Sequence, residues 1–308
     1  MSCFNWNYII RNKRTKQIYL VNKNYWEEAQ KPKIFMADQG DPKDFFKVPC
    51  QKCDGCRLKN AIEWGIRCQK EMIKHTTNWF ITLTYNDENL PTKADDENQW
   101  RATLKYRDIQ LFLKKLRKWL EPEKIKFFGS AEYGSKTGRP HYHLTIFGGE
   151  KINENLQNER NIKIEKIWGK GMINIKKANI LTTEYIARYT TKKSYKTKKY
   201  MGMEKEKLYT SKKIGQEWFK ENKNQIIERD EINAAITGGK MAKTLIPRTW
   251  RNWLDEETNK KITENRINQA RKMRKRLKED GINIEEKEIN EAIRTKEKIK
   301  LLNQKRKL

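Results

Sequence analysis

The sequence predicts an α+β fold, in which strands and amphipathic helices are interspersed before a basic helical region ends the chain. The β-branched and aromatic run Trp79–Tyr85 is typical of a strand. Two more apolar segments, Lys126–Tyr133 and His141–Phe147, are separated by a loop with glycines and a proline, which favours a hairpin. Asp108–Leu120 has the apolar spacing of a helix, with an acidic residue near its start, where negative charge is favourable.

The remaining elements follow from the same periodicities. Residues 1–49 are mixed polar and aromatic, whereas apolar residues become sparse and charges dense after residue 255. We therefore expect an N-terminal extension over residues 1–49, a main domain over 50–250 and a basic helical tail over 251–308. The other predicted elements are weak strands at 8–10 and 18–21, a helix at 58–68, a loop at 86–98, strands at 162–167 and 172–175, a short helix with a Thr N-cap at 182–193, and long helices from 255 to 308.

The charge balance indicates a polyanionic partner. Lys and Arg number 68 against 40 Asp and Glu, giving a net charge of +28 and a pI near 9.8. Such a surplus is typical of proteins that bind nucleic acid, and a membrane surface is the second candidate. No apolar run approaches the roughly 20 residues of a membrane-spanning helix, and the N-terminus lacks the layout of a signal peptide. We expect a soluble, intracellular protein.

His141 and His143, two of the three histidines, are separated by one residue in a predicted strand. Side chains at i and i+2 share a strand face, so both imidazoles project together and Tyr142 is buried opposite. Glu132 precedes the hairpin loop, and a register that turns it towards the histidines completes a set of two imidazoles and one carboxylate. That set suits Mg²⁺ or Mn²⁺ acting on a phosphodiester. The alternative is an edge strand that exposes all three side chains.

Tyr185 and Tyr189 have i, i+4 spacing, which places both phenols on one face of a predicted helix. Lys192 and Lys193 follow about one turn later. Tyrosine is a covalent nucleophile in some enzymes, and nearby ammonium groups would bind phosphate and favour the phenolate. Taken alone, helical tyrosines are more often packing residues, and two lysines are more often a solvated helix end.

Three cysteines, Cys50, Cys53 and Cys56, are followed by Cys68, and Cys3 is left over. Intracellular thiols stay reduced, so a disulfide framework is not expected. A four-thiolate Zn²⁺ site on the first four is chemically sensible, although the strongest zinc pattern has two separated CxxC pairs. Unliganded cysteines are the main alternative, and an iron–sulfur cluster is a minor one.

Three segments occur in the order of the motifs of rolling-circle replication initiators of the HUH endonuclease superfamily, and the chain resembles this family. They are Phe80–Tyr85, Gly138–His143 and Tyr185–Lys193. More narrowly, Cys50–Leu58, followed by Trp64 and Cys68, and Ile214–Phe219 are similar to hallmarks of the initiators of gokushovirus-type microviruses. These are small single-stranded DNA phages. The resemblance covers about residues 48–250.

The resemblance implies that the main domain is an HUH endonuclease domain of Rep type, a central antiparallel sheet with flanking helices. It also implies a metal-dependent DNA nickase and ligase. His141, His143 and Glu132 would hold the metal. One of Tyr185 and Tyr189 would attack the scissile phosphate, leaving a 5′-phosphotyrosine link and a free 3′-OH, and the second would serve the next cleavage and strand transfer.

The implied partner is single-stranded origin DNA of the viral genome, in the cytoplasm of a bacterial host. The sequence has no G-x-x-x-x-G-K-[ST] loop, because Gly238–Met241 lacks the upstream glycine and the hydroxyl residue. A host helicase and the host replication machinery would therefore be needed. Two alternatives stay open: a zinc-containing DNA-binding protein without catalysis, and a single-strand transposase or relaxase of the same superfamily.

Overall fold

The computed structural model describes residues 3, 5–11, 18–22, 45–95, 97–134, 137–152, 159–188, 202–236 and 240–304. The chain divides into two compact units, residues 1–60 with 266–308 and residues 61–265. Both units contain helices and strands, and the predicted α+β class is confirmed. Among the described residues, no helix is long and apolar enough to cross a membrane.

Strands and helices are interspersed throughout the described part of the chain. The strands are β1 (Asn7–Arg11), β2 (Ile18–Asn22), β3 (Phe45–Val48), β4 (Asn78–Thr84), β5 (Thr92–Ala94), β6 (Trp100–Ala102), β7 (Lys126–Tyr133), β8 (Pro140–Phe147), β9 (Ile173–Lys177), β10 (Lys207–Thr210), β11 (Glu231–Ile236) and β12 (Lys240–Leu245). The helices are α1 (Asp54–Met72), α2 (Tyr106–Leu120), α3 (Glu159–Trp168), α4 (Ile180–Arg188), α5 (Gln216–Glu221), α6 (Lys223–Arg229), α7 (Arg248–Arg251), α8 (Glu256–Glu279) and α9 (Ile284–Gln304).

Five antiparallel strands in the order β10-β7-β8-β4-β9 form the main sheet, within the unit of residues 61–265. The predicted hairpin is confirmed, since β7 pairs with β8 along their whole length. β8 carries both histidines and is the middle strand of the five. This position excludes the alternative of two histidines on an exposed edge strand.

The first face of the main sheet is covered by α2 and α3. Tyr142, Leu144 and Ile146 of β8 are fully buried on this face and belong to the largest hydrophobic core. Their burial confirms the predicted alternation along the histidine strand, because the residues between them point the other way. The apolar row anchors β8 and leaves its second row of side chains for the opposite face.

The second face of the sheet carries the histidines. Phe128 of β7 and Phe147 of β8 pack here with Cys68 of α1 and Ile186 of α4. Both phenylalanines lie towards the strand ends that are remote from the β7–β8 loop. The apolar packing therefore gives way to polar side chains towards the loop, where Glu132 lies.

The predicted strand over residues 162–167 is wrong, because this segment lies in α3. Ile164, Ile167 and Trp168 are buried against the main core, whereas Ile162 is 42% exposed. Buried positions at i, i+3 and i+4 have the period of a helix and not of a strand. The second predicted strand, at 172–175, corresponds to β9.

The short helix predicted to begin with a Thr N-cap begins earlier. α4 starts at Ile180, and Asn179 precedes it. Asn179 Oδ1 accepts a hydrogen bond from the backbone N–H of Thr182, and Thr182 Oγ1 accepts one from the N–H of Asn179. This reciprocal pair satisfies two N–H groups at the helix start, as in a capping box. Residues 189–193 of the predicted helix lie outside the described residues.

The unit of residues 1–60 and 266–308 has a small antiparallel sheet of its own, in the order β2-β1-β3. β1 and β2 match the weak strands predicted at 8–10 and 18–21. The long charged helices predicted after residue 255 are α8 and α9. Their side chains are largely exposed, in keeping with the sparse apolar pattern.

Candidate active site

The register of the main sheet brings one carboxylate and two imidazoles to the same face. Glu132 of β7 is paired with His141 of β8, and His143 is paired with Thr82 of β4 on its other side. Directly opposite residues of an antiparallel pair share a face, and so do His141 and His143 at i, i+2. Side chains from three neighbouring strands therefore meet at this point.

The ligand atoms of the three residues converge. Glu132 Oε1 lies 2.7 Å from His141 Nε2 and 2.8 Å from His143 Nε2. The candidate ligand atoms all lie within 4.8 Å of one another. Glu132 and His143 are buried, whereas His141 is partly exposed, so the cluster can be reached from the side of His141.

The outer ring nitrogens of both histidines are held by protein atoms. His141 Nδ1 lies 3.1 Å from the carbonyl oxygen of Arg139. His143 Nδ1 lies 3.0 Å from Thr82 Oγ1. These contacts orient the rings and direct both Nε2 atoms towards Glu132, as outer partners do for metal-binding histidines.

The two partners of His141 determine what can lie between it and Glu132. The Arg139 carbonyl oxygen only accepts, so Nδ1 carries a proton, and the Nε2 of a neutral imidazole then turns a lone pair towards the carboxylate. Two acceptors 2.7 Å apart repel each other unless a second proton or a cation lies between them. The arrangement is therefore that of a cation-binding ligand set.

The donor types fit a divalent cation with open coordination positions. Mixed imidazole and carboxylate ligands favour Mn²⁺ over Mg²⁺, because Mg²⁺ prefers oxygen ligands. Ser130, directly opposite His143, has a buried hydroxyl oxygen with no hydrogen-bond partner among the described residues. A hydrated ion nearby would satisfy such an atom. The residues present thus fit the predicted Mg²⁺ or Mn²⁺.

Tyr185 lies beside this cluster. Its ring contacts that of His143 edge to face, with 5.3 Å between centroids, and Phe80 stacks on His143 at 5.6 Å. α4 packs against β7 and β8, and its Ile186 and Ala187 are fully buried in the core of the second face. Burial of the two following residues fixes the rotation of the helix, and Tyr185 is left half-buried next to the histidine.

The other predicted catalytic residues, Tyr189, Lys192 and Lys193, lie outside the described residues. Their i, i+4 relation to Tyr185 and their part in phosphate binding stay predictions from the sequence.

The third histidine contacts another buried glutamate. Glu71 Oε1 accepts from His75 Nε2 at 2.9 Å and from the Lys126 ammonium at 2.8 Å, and Oε2 accepts from the N–H of Gly215 at 2.6 Å. Burial alone would raise the pKa of Glu71, but the hydrogen bonds and the Lys126 charge outweigh it and hold the pKa below its ordinary value. This network joins the end of α1 to β7 and to the segment before α5.

The cysteine prediction needs a correction. Cys50, Cys53 and Cys56 are brought together, but the fourth sulfur within 4.8 Å is that of Cys3 and not of Cys68. Cys68 is twelve residues after Cys56 in the same helix, a rise of about 18 Å. It is fully buried in the core of the second sheet face, where burial raises the pKa of its thiol. Its role there is packing.

Sequence reasoning missed three contributors: Thr82, the carbonyl of Arg139, and Cys3. Thr82 lies in the first quoted motif, and its strand pairing with β8 is the signal that could have identified it. The Arg139 guanidinium donates to the carbonyl oxygen of Tyr85 at 2.8 Å and pairs with Asp87, which holds the residue before the histidine strand in place. No local pattern in the sequence joins Cys3 to a segment 47 residues away.

Comparison with known proteins identifies relatives over most of the chain. A family model of replication-associated proteins of the ORF2 type matches residues 78–194, which include Thr82, Glu132, both histidines and Tyr185. Replication-associated protein ORF2 of Spiroplasma virus 4 is 34% identical over 271 residues, covering 80% of this chain and 83% of that protein.

Two further relatives come from other phages. Replication-associated protein VP4 of Bdellovibrio phage phiMH2K is 30% identical over 243 residues, or 71% of each chain. Replication-associated protein ORF4 of Chlamydia phage 1 is 30% identical over 163 residues, or 48% of this chain and 39% of that protein. No solved structure matches the chain significantly.

Proposed function

The chain belongs to the replication-associated proteins of the microviruses, and from this premise we propose that it initiates rolling-circle replication by nicking the viral origin. The nick is made in single-stranded DNA, and the same site later rejoins strands. The contact of His141 with two acceptors, Arg139 O and Glu132 Oε1, carries the proposal, because it calls for a cation at the centre of the site.

Glu132, His141 and His143 are the proposed ligands of Mn²⁺ or Mg²⁺. Bound there, the ion supplies Lewis-acid polarisation of the scissile phosphate. The chain's own part is to hold two imidazoles in one orientation, through Arg139 and Thr82, and to bury the carboxylate between them. Because β8 is the middle strand, the ligands are fixed by pairing on both sides.

Tyr185 is the proposed nucleophile that the described residues contain. Its phenol oxygen forms a bond to phosphorus, and the bond from phosphorus to the 3′ oxygen breaks. The phenolic proton is lost and the departing 3′ oxygen gains one, so a 5′-phosphotyrosine and a free 3′-OH remain. The 5.3 Å contact between the Tyr185 and His143 rings supports this role, since it holds the phenol beside the ligand cluster.

Tyr189, Lys192 and Lys193 are assigned by the sequence alone. We propose that Tyr189 serves the second cleavage, and that the two lysines bind the phosphate and favour the phenolate. The resemblance to two-tyrosine initiators and the i, i+4 spacing support this pairing. The order in which the tyrosines act is a question for the single variants.

The proposed partners follow from charge and from the absence of a nucleotide loop in the sequence. A net charge of +28 favours binding to the phosphates of origin DNA. Without its own nucleotide loop, the protein relies on a host helicase and the host replication machinery, in the bacterial cytoplasm. We propose that residues 50–250 form the HUH endonuclease domain, with residues 1–49 as an extension and residues 251–308 as a basic helical tail.

The proposal is tested by incubating the purified full-length protein with Mn²⁺ and labelled single strands that carry the viral origin. We expect a covalent adduct on the 5′ side of the nick and a free 3′-OH on the other product. Binding without any adduct would overturn the proposal and favour the zinc-containing DNA-binding protein. Adducts on strands unrelated to the viral genome, with none on the origin, would favour the transposase or relaxase.

A further inference from the structure

The cysteine cluster is independent of the nicking site and goes beyond the proposed function. We propose that Cys3, Cys50, Cys53 and Cys56 bind a structural Zn²⁺ that ties the first residues of the chain to the start of α1. Their four sulfur atoms lie within 4.8 Å of one another, and all four thiols are free rather than disulfide-bonded.

The sulfur spacing matches a shared metal rather than a disulfide. Cys3 Sγ lies 3.7 Å from Cys53 Sγ. A disulfide would need a sulfur–sulfur distance of about 2.0 Å. Four thiolates placed tetrahedrally at about 2.3 Å from Zn²⁺ are separated from one another by about 3.8 Å. The observed separation is therefore within about 0.1 Å of the zinc–thiolate geometry.

Strand pairing explains why Cys3 completes the set. β1 and β3 are antiparallel, and Asn7 is paired with Val48. The chain just before Asn7 and the chain just after Val48 therefore emerge at the same end of the small sheet. Cys3 and Cys50 lie in these two stretches, and the backbone N–H of Cys50 donates to Cys3 Sγ at 3.3 Å.

Cys53 and Cys56 come from the junction between β3 and α1. α1 begins at Asp54, so Cys56 lies in its first turn and Cys53 lies directly before it. The N–H groups of Lys52 and Cys53 donate to Cys50 Sγ at 3.4 and 3.2 Å. Such N–H donors favour the thiolate form that a metal requires.

The chemistry of the cluster selects the metal. Four soft sulfur ligands favour Zn²⁺ and exclude Mg²⁺ and Mn²⁺, which prefer oxygen. A complete set of four protein ligands leaves no open position, as in structural zinc sites. The cluster packs against Trp6 and is partly or fully buried, so the ion would join segments more than 40 residues apart within one small unit. Zinc binding there contributes directly to folding stability.

The test is metal analysis of the full-length protein, purified under reducing conditions from zinc-supplemented cells. We expect about one zinc ion per chain, a tetrahedral cobalt–thiolate spectrum after exchange with Co²⁺, and a lower melting temperature after chelation. Wild-type protein that contains no tightly bound metal would overturn the proposal. So would an iron–sulfur absorption spectrum in place of zinc.

Matched variants separate the cluster from a general requirement for cysteine. Cys3→Ala is expected to lose most of the bound zinc, whereas Cys68→Ala retains it, although Cys68 is the more deeply buried. Cys3→His restores a ligand and should recover zinc binding, which distinguishes ligand loss from misfolding. Retention of zinc by Cys3→Ala together with its loss in Cys68→Ala would return the site to the set predicted from the sequence.

Discussion

All three histidines of the chain contact a buried glutamate, yet the two glutamates have different partners. Glu71 accepts from one imidazole, from the ammonium of Lys126 and from a backbone N–H. Glu132 meets two imidazoles through a single oxygen, Oε1. Both carboxylates are buried, so the contrast lies in the partners and not in burial.

The contrast shows what makes a histidine–glutamate contact a candidate metal site. An ammonium and a backbone N–H bring their own protons, so Glu71 is stabilised as a carboxylate without an ion. His141 has an acceptor at each ring nitrogen, so its contact with Glu132 calls for a second proton or a cation. The number of converging ligand atoms and the partner of the outer nitrogen decide the assignment.

Replacement of a ligand is expected to have the largest effect. Glu132→Gln and His143→Ala should each lower the nicking rate by at least about 10³-fold, because Lewis-acid catalysis supplies several kcal/mol of transition-state stabilisation. Binding of origin DNA should be largely kept, since it depends on the overall positive charge. Single-turnover nicking and a binding titration measure the two quantities.

His75→Ala is the matched control, since it removes the histidine of the Glu71 contact. Its nicking rate per folded molecule should equal that of the wild type. A loss of nicking as large as that of His143→Ala, in a protein that is still folded, would remove the distinction between the two glutamates.

Loss of the nucleophiles should be nearly as severe. Tyr185→Phe keeps the ring contact with His143 but removes the attacking oxygen. We expect the doubly substituted protein, with Tyr185→Phe and Tyr189→Phe, to form no covalent adduct, while each single variant keeps the reactions of the remaining tyrosine. Mass spectrometry of the DNA-linked peptide assigns each attachment point. An adduct in the double variant would contradict the assignment of both tyrosines.

A smaller effect is expected at Thr82, which acts through His143. Thr82→Val removes the hydroxyl 3.0 Å from His143 Nδ1 at similar side-chain volume. Loss of such an outer partner costs about 10–100-fold in metal affinity or activity. The Mn²⁺ concentration for half-maximal nicking should rise accordingly, and Thr82→Ser should restore it. An unchanged Mn²⁺ requirement would show that Thr82 does not position the ring.

The smallest effect on activity, and a clear one on stability, is expected at Glu71. Glu71→Gln should reduce the free energy of unfolding by about 1–3 kcal/mol, because a charged hydrogen-bond network is lost, while the Mn²⁺ requirement stays unchanged. The lowered pKa of Glu71 makes its contribution complete at neutral pH and lost as the pH falls through that pKa, below the ordinary value of about 4.3. Denaturant titrations at pH 7 and pH 3.5 should show a smaller difference between wild type and variant at the lower pH.

Local patterns predicted the elements that build the site better than the contacts that complete it. The alternation through Tyr142, Leu144 and Ile146 fixed which face of β8 carries the histidines, and the hairpin brought Glu132 opposite His141. Strand period and hairpin geometry are short-range properties, so one sequence was sufficient for both.

The sequence could not provide contacts that depend on distant pairing. Thr82 reaches His143 only because β4 lies beside β8, 61 residues away along the chain. Cys3 replaces Cys68 because β1 pairs with β3. The segment at 162–167 was assigned to a strand because its isoleucines favour strands, whereas burial at helical spacing outweighed that preference.

The most direct test of the central claim is a titration of Mn²⁺ into the full-length protein, followed by the electron paramagnetic resonance signal of the free ion. We predict about one Mn²⁺ site per chain in the wild type and in Glu71→Gln, and loss of that site in Glu132→Gln. Equal Mn²⁺ binding by the wild type and Glu132→Gln would contradict the assignment of Glu132, His141 and His143 as the metal centre.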